Sequence, residues 1–185
     1  YSRLFGGIAK AVITLDEPER AGEQMAHALS LSASGRPGPV VVVLPEDRLA
    51  LPSAAPGLAP AAIHRPAPSA AAVAAIAARL AEAQRPLLLL GGPGWCEADV
   101  LAATALAERQ QLPVVTSWRR KDRFDNLHPH YAGELGLGAN PALVAAVKQA
   151  DLLLVIGARL GENPTQGWTL ISGADAAGGL VHVHP

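Results

Sequence analysis

Short apolar runs without polar alternation are the feature that most constrains the fold of this 185-residue chain. The clearest runs are residues 40–44, 87–90 and 152–156. A strand that is apolar on both sides must be covered on both sides, as happens in a parallel sheet flanked by helices. The pattern therefore predicts an α/β chain with parallel strands.

Helix signals separate these runs. Asp16 and the acidic residues after it, Ser69, and the pair Asn140 and Pro141 each combine a capping residue with features of a first helical turn. Strands alternating with helices predict a doubly wound, Rossmann-like parallel sheet after residue 69. Two further strands of this sheet are expected at residues 113–116 and 180–183.

Composition excludes several classes of function. The net charge is −1 and the basic residues are scattered, so we expect no nucleic-acid partner and no membrane surface as partner. No apolar run reaches the ~18 residues of a membrane span. Cys96 is the only cysteine, which excludes an internal disulfide and predicts a reducing, cytoplasmic location.

A Pro- and Ala-rich segment divides the chain. We expect residues 1–49 to be the end of one α/β domain, residues 50–68 an extended linker, and residues 69–185 a second domain truncated at its carboxyl end. The first residue is Tyr1 rather than Met, so the chain is expected to begin within a longer protein.

The first segment contains only one evident helix and one evident strand, at residues 40–44. A single apolar strand needs neighbours on its edges and cover on its faces. We therefore expect this strand to pair with the second domain or with another copy of the chain, or else to fray.

Two glycine turns fall at the carboxyl ends of predicted strands, where doubly wound sheets bind ligands. Neither turn has the full G-x-G-x-x-G pattern, and glycine after a strand commonly serves only to reverse the chain. The residues of a possible nucleotide site are Gly91, Gly92, Gly94, Gly157 and Arg159.

Other candidate residues have simpler interpretations. His128 with His130, and His182 with His184, could each place two imidazoles on one side of an extended chain, but no third metal ligand is evident. We expect hydrogen-bonded or surface histidines and no metal site. The basic cluster at residues 119–123, beside Trp118, is expected to be a solvated loop, with nucleotide stacking as the alternative. No catalytic residue is predicted, Cys96 included.

Several motifs, taken in order, resemble the middle of thiamine-diphosphate-dependent enzymes of the acetolactate synthase type. Residues 5–10 and 34–47 resemble the end of the pyrimidine-binding domain of that family, and the later motifs resemble its central domain. The central-domain motifs are RPLLLLGG at 85–92, LPVVT at 112–116, HPHYAG at 128–133 and ADLLLVIGARL at 150–160.

The resemblance implies thiamine diphosphate and Mg²⁺ in the parent enzyme, which would join or decarboxylate 2-oxo acids. In this family the activating glutamate and a Gly-Asp-Gly motif lie in other segments, and this chain contains no Gly-Asp-Gly. The resemblance thus implies partners in the missing domains of the same chain and a homo-oligomeric parent, a dimer or a tetramer. The fragment alone is expected to catalyse nothing.

Two functions remain for the fragment. It is either a structural scaffold between cofactor-binding domains or a nucleotide-binding module for FAD, ADP or coenzyme A. The family's nucleotide pattern is incomplete, because residues 161–164 depart from it and His182 and His184 stand where ribose-binding acids are expected. The scaffold is the preferred prediction. A free-standing NAD-binding domain is a remoter alternative, disfavoured by the preceding segment.

Overall fold

The computed structural model describes residues 1–63, 67–171 and 178–184. Residues 64–66 of the expected linker, and residues 172–177 and 185 of the expected second domain, lie outside the described residues. The chain forms two compact units, residues 1–67 and residues 68–184.

The first unit contains a two-stranded parallel sheet and one long helix. Strand β1 (Ala11–Thr14) pairs with strand β2 (Val40–Val43), from Ala11 opposite Val40 to Thr14 opposite Val43. A short 3-10 turn, Pro18–Arg20, leads into the long helix. The elements are α1 (Ser2–Phe5), β1 (Ala11–Thr14), α2 (Ala21–Ala33), β2 (Val40–Val43) and α3 (Glu46–Leu49).

Strand β1 differs from the expectation that the first segment offers a single strand. β2 takes its neighbour from the same unit rather than from the second domain or another copy. Helix α2 ends at Ala33, and Gly35 just after it lies in the left-handed region at a φ of +51°.

The segment after α3 has no helix or strand over residues 51–63. It contacts its own unit nonetheless. Ser53 Oγ donates to the Pro18 carbonyl at 2.7 Å, and the Ala61 N–H donates to Ser30 Oγ at 2.9 Å. The described part of the expected linker is thus irregular but attached to the first unit.

The second unit is built around a five-stranded parallel sheet, which confirms the doubly wound fold class. Its strands, numbered along the chain, are β3 (Pro86–Leu90), β4 (Val114–Ser117), β5 (Tyr131–Leu135), β6 (Leu152–Ile156) and β7 (Leu180–Val183). In the sheet they are ordered β5-β4-β3-β6-β7, and every neighbouring pair is parallel. The helices are α4 (Ala70–Glu82), α5 (Glu97–Gln110) and α6 (Pro141–Gln149).

The predicted caps are in place at two helices of this unit. Ser69 Oγ accepts the Ala72 N–H at 3.2 Å, and Asn140 Oδ1 accepts the Ala142 N–H at 2.9 Å. Each bond satisfies one of the amide groups that a helix start leaves unpaired.

Helices cover both sides of the sheet. Helices α4 and α5 pack on the side that carries Leu88 and Leu90, whereas α6 packs on the side that carries Leu87 and Leu89. The strand β3 between them is almost wholly buried, as an apolar run without alternation requires.

Candidate functional site

The two predicted glycine turns meet at the switch point of the sheet. Strands β3 and β6 are neighbours, and β4 and β7 lie on opposite outer sides of this pair. The residues that follow β3 and β6 therefore lie at the position where doubly wound sheets form a ligand crevice. Gly91 follows β3 directly, and Gly157 follows β6 directly.

The turns need glycine for their backbone conformation. Gly92, Gly94 and Gly157 have φ values of +78°, +83° and +73°, a region that other residues rarely adopt. These conformations let the chain turn sharply away from the ends of the adjacent strands β3 and β6.

The two turns also touch each other. The Gly91 N–H donates to the Ile156 carbonyl at 3.1 Å, and the Gly157 N–H donates to the Val183 carbonyl at 2.8 Å. A Cβ on Gly157 would lie 2.6 Å from the Gly91 carbonyl oxygen, and one on Gly92 would overlap the Gly157 carbonyl oxygen. The backbones of the two turns are therefore too close for a side chain at Gly92 or Gly157.

The indole of Trp95 lies beside both turns. Its Nε1–H donates to the Gly91 carbonyl at 2.8 Å, and this nitrogen is 3.2 Å from where a Gly157 Cβ would be. The ring is partly buried. One face of the crevice is therefore formed by an aromatic side chain whose orientation is set by a hydrogen bond.

Arg123 reaches the same place from the loop after β4. Its Nε–H donates to the Gly92 carbonyl at 3.1 Å, and its Nη1 lies 3.0 Å from Asp122 Oδ2. The Arg123 side chain is only 12% exposed. Its positive charge thus has a carboxylate partner and a carbonyl partner at the mouth of the crevice.

A cavity of about 340 Å³ opens between the first glycine turn and helix α5. Its walls are mostly apolar, and Asp99 is the acidic residue among them. Asp99 Oδ2 accepts the Cys96 N–H at 2.8 Å and so closes the first turn of α5. The lining residues are Pro93, Gly94, Trp95, Asp99, Ala102, Ala103, Leu106 and Ile156.

The second unit matches a known family over almost its whole length. The family described as "Thiamine pyrophosphate enzyme, central domain" matches residues 73–185, which include both glycine turns. The chain belongs to the thiamine pyrophosphate enzyme family. This match confirms that the motifs of the second unit resemble the central domain of thiamine-diphosphate-dependent enzymes.

Curated relatives extend the match into the first unit. The acetolactate synthase large subunit of Parasynechococcus marenigrum is 36% identical over 164 residues, which cover 85% of this chain and 27% of the relative. Oxalyl-CoA decarboxylase of Escherichia coli is 30% identical over 170 residues, 86% of this chain and 29% of the relative. Sulfoacetaldehyde acetyltransferase of Rhodobacter capsulatus is 41% identical over 103 residues, 55% of this chain and 17% of the relative. The chain thus spans less than a third of the length of these relatives.

In this member of the family, the structure brings together three of the five predicted site residues. Gly91, Gly92 and Gly157 lie in contact, whereas a Cβ on Gly94 would have no described atom within 4 Å apart from those of Gly94 and its two chain neighbours. Arg159 follows the buried Ala158 and is exposed. The nucleotide site itself stays a prediction.

Two residues of the crevice escaped the sequence-based prediction. Trp95 is not among the predicted site residues, although its place directly after a glycine turn is a usable signal. Arg123 belongs to the basic cluster that is expected to be a solvated loop, yet its side chain is largely buried. Arg119 fits the loop interpretation better, because its guanidinium is exposed and lies 4.3 Å from the centre of the Trp118 ring.

The predicted histidine pairs form hydrogen bonds in this structure. His128 Nδ1 accepts the His130 N–H at 3.2 Å, and His128 Nε2 lies 3.2 Å from Glu108 Oε1. His182 Nε2 lies 2.8 Å from the Ala158 carbonyl oxygen. Among the described residues, no three His, Cys, Asp or Glu side chains are grouped so that they could hold a metal ion.

Helices in the described ranges lack the length and apolarity that a lipid bilayer span requires.

Proposed function

We propose that this chain is the middle part of a thiamine-diphosphate-dependent enzyme of the acetolactate synthase type. Support comes from the family match over residues 73–185 and from the relative with this name, of which the chain covers 27%. In this proposal the longer protein joins or decarboxylates 2-oxo acids. The second unit acts as a structural scaffold between the domains that hold the cofactor.

The contacts at the switch point favour the scaffold over a nucleotide-binding module. The Gly91 and Gly92 carbonyls of the first glycine turn accept hydrogen bonds from side chains of the same unit, Trp95 and Arg123 respectively. His182, at a position where the family's nucleotide pattern has an acid, bonds to the Ala158 carbonyl instead. All three contacts are made within the second unit, which is typical of a structural role for these turns.

The cofactor belongs to other segments in this proposal. Thiamine diphosphate needs an anchor for its diphosphate and Mg²⁺, and the chain contains no Gly-Asp-Gly motif of the kind that the resemblance implies for that anchor. We propose that segments of the longer protein outside this chain supply the anchor and the activating acid. The cofactor would there supply the carbanion chemistry that splits or forms the bond next to a carbonyl.

We also propose a homo-oligomeric, cytoplasmic parent protein. The single, exposed Cys96 is compatible with a reducing compartment. Within the described residues, β1 and β2 pair only with each other, so each has an outer edge to which a further strand could add.

The test compares the longer protein with this chain under the same conditions. The longer protein is assayed for consumption of a panel of 2-oxo acids, with and without thiamine diphosphate and Mg²⁺, and this chain is the matched control. We expect turnover only by the longer protein and only with the cofactor. Failure of the longer protein to bind thiamine diphosphate, or saturable binding of thiamine diphosphate by this chain alone, would contradict the proposal.

A further inference from the structure

The space around the glycines at the switch point distinguishes two uses of such turns. In a phosphate cradle, glycine lets a ligand approach the backbone, so the missing side chain leaves room that opens toward the ligand. In a packing joint, the missing side chain leaves room that other parts of the protein fill.

Three glycines here follow the second pattern. A Cβ on Gly91 would meet the Ser117 side chain and would lie 2.8 Å from the Ala158 Cβ. The positions at Gly92 and Gly157 are blocked by the opposite turn, as described above. Gly94 differs, because a Cβ there would have no described atom within 4 Å apart from those of Gly94 and its two chain neighbours.

The hydrogen bonds point the same way. Phosphate groups bind N–H donors, yet two side-chain donors, the Trp95 indole and the Arg123 guanidinium, lie against carbonyl oxygens of the first turn. The amide groups of Gly91 and Gly157 donate to carbonyls at the ends of neighbouring strands. Asp122, 3.0 Å from the Arg123 guanidinium, already balances the positive charge that a phosphate would use.

We propose that Trp95 and Arg123 are structural ties built into this crevice: Trp95 forms one of its walls, and both side chains donate to carbonyls of the turn after β3. They join the turn after β3 to the turn after β6 and to the loop after β4, so that the unit keeps its shape without a bound nucleotide. The inference deepens the scaffold role proposed above and rests on it. The failure of this inference can be distinguished from the failure of the proposed function. The reaction is measured on the longer protein, whereas nucleotide binding and thermal unfolding are measured on this chain.

The first measurement is calorimetric titration of the chain with ADP, FAD and coenzyme A. We expect no saturable binding up to about 1 mM of each ligand, which is the weak limit of specific recognition. Saturable binding in the micromolar range that Gly157→Ala abolishes would overturn the proposal, because it would place the nucleotide in the crevice.

The second measurement is the thermal unfolding midpoint of variants in matched pairs. Trp95→Phe keeps an aromatic ring and removes the donor to Gly91, whereas Trp168→Phe alters an indole that is 62% exposed. Gly92→Ala and Gly94→Ala both strain a positive φ, but only the first adds a Cβ that meets the opposite turn. We expect a lower midpoint for the crevice member of each pair.

Equal midpoints within both pairs would overturn the proposal even if no nucleotide bound. Gly92→Ala carries the greater risk of misfolding, and Trp95→Phe, which keeps an aromatic ring and adds no atom to the crevice, keeps the test decisive in that case. Binding of nucleotide by Trp95→Phe but not by the original chain would support the proposal, since it would mean that the indole contact keeps the crevice closed.

Discussion

The ammonium group of Lys10 lies at the carboxyl end of helix α2. Its Nζ donates to the carbonyls of Leu31 and Ser34 at 2.6 Å each, and to the Arg36 carbonyl at 3.3 Å. The last carbonyls of a helix lack partners within the helix and carry partial negative charge. One side chain beside β1 therefore caps the helix and holds the chain that leads to β2.

Replacing Lys10 by Met should loosen this end of the helix. We expect a loss of about 1 kcal/mol, since the charged donor is removed while the carbonyls become accessible to water. Amide hydrogen exchange over residues 30–38 measures the effect directly. Arg3→Met removes the same charge elsewhere in the first unit and serves as the control. Unchanged exchange in Lys10→Met would show that water replaces the ammonium at no cost.

Asp151 makes the stability of the second unit depend on pH. Its carboxylate accepts the N–H groups of Gln84 and Arg85 at 2.7 and 2.9 Å. Desolvation acts to raise the pKa of Asp151, but these bonds, its own N–H and the Arg85 charge outweigh it, and the pKa lies below its ordinary value. Asp151 thus connects the start of β6 to the start of β3.

The sign of the effect follows from the lowered pKa. The stabilisation is complete above the carboxyl pKa of the unfolded chain, near 3.8, and is lost as the pH falls through the lower pKa of the folded state. Asp151→Asn should therefore be less stable than the original chain at pH 7, and the difference should shrink in acid. Denaturant unfolding from pH 7 to pH 3 measures this, with Glu82→Gln as the control. A difference that does not change with pH would disprove the prediction.

At the scale of elements, Gly22 shows how helix α2 accommodates the segment after α3. A Cβ on Gly22 would overlap the Pro56 carbonyl oxygen and lie 3.3 Å from the Pro56 carbonyl carbon. Alanine in place of glycine ordinarily stabilises a helix by about 0.5 to 1 kcal/mol. Here the close approach of another backbone reverses that gain.

Gly22→Ala should weaken the contact between α2 and residues 51–63. We expect a net loss of about 1 to 3 kcal/mol, the usual cost of overpacking, or release of the segment from the helix. Limited proteolysis within residues 51–63 distinguishes the variant from the original chain. Gly57→Ala is the matched control, because a Cβ there would have no described atom within 4 Å apart from those of Gly57 and its two chain neighbours. Equal cleavage of all three proteins would contradict the prediction.

At the scale of the whole molecule, the two units differ in how much they bury. Among the described residues of the first unit, Leu15 and Ala28 are the only buried hydrophobic residues, and β1 and β2 are half exposed. In the second unit Leu88 to Leu90 are fully buried at the centre of five strands. Two strands alone are marginally stable in water.

The rate of amide hydrogen exchange should therefore differ between the two units. We expect the amides of β1 and β2 to exchange faster than those of β3 and β6, since local opening costs less where fewer apolar groups are buried. Mass spectrometry of peptic fragments measures both in one experiment. In the longer protein, the amides of β1 and β2 should become more protected if further strands complete the sheet. Equal protection of β1 and β3 in this chain would contradict the prediction.

Apolar runs and helix caps were readable from the sequence because they act over a few neighbouring residues. The buried strands β3 and β6 are continuous apolar runs, and Ser69 and Asn140 cap the helices that they were expected to begin. The family was readable from motifs for a similar reason, since each motif is contiguous.

Other features were decided only by tertiary structure. Neither β1 nor β5 was predicted as a strand. β5 is a partly exposed edge strand in which Gly133 has a φ of +130°. Both are defined by their pairing, β1 with β2 and β5 with β4, rather than by an apolar run. The contacts of Trp95 with Gly91 and of Arg123 with Gly92 depend on how the ends of several strands converge. Composition and local spacing determine the continuous apolar strands and the capped helices, but only the assembled sheets determine the strands β1 and β5 and which side chains meet at the switch point.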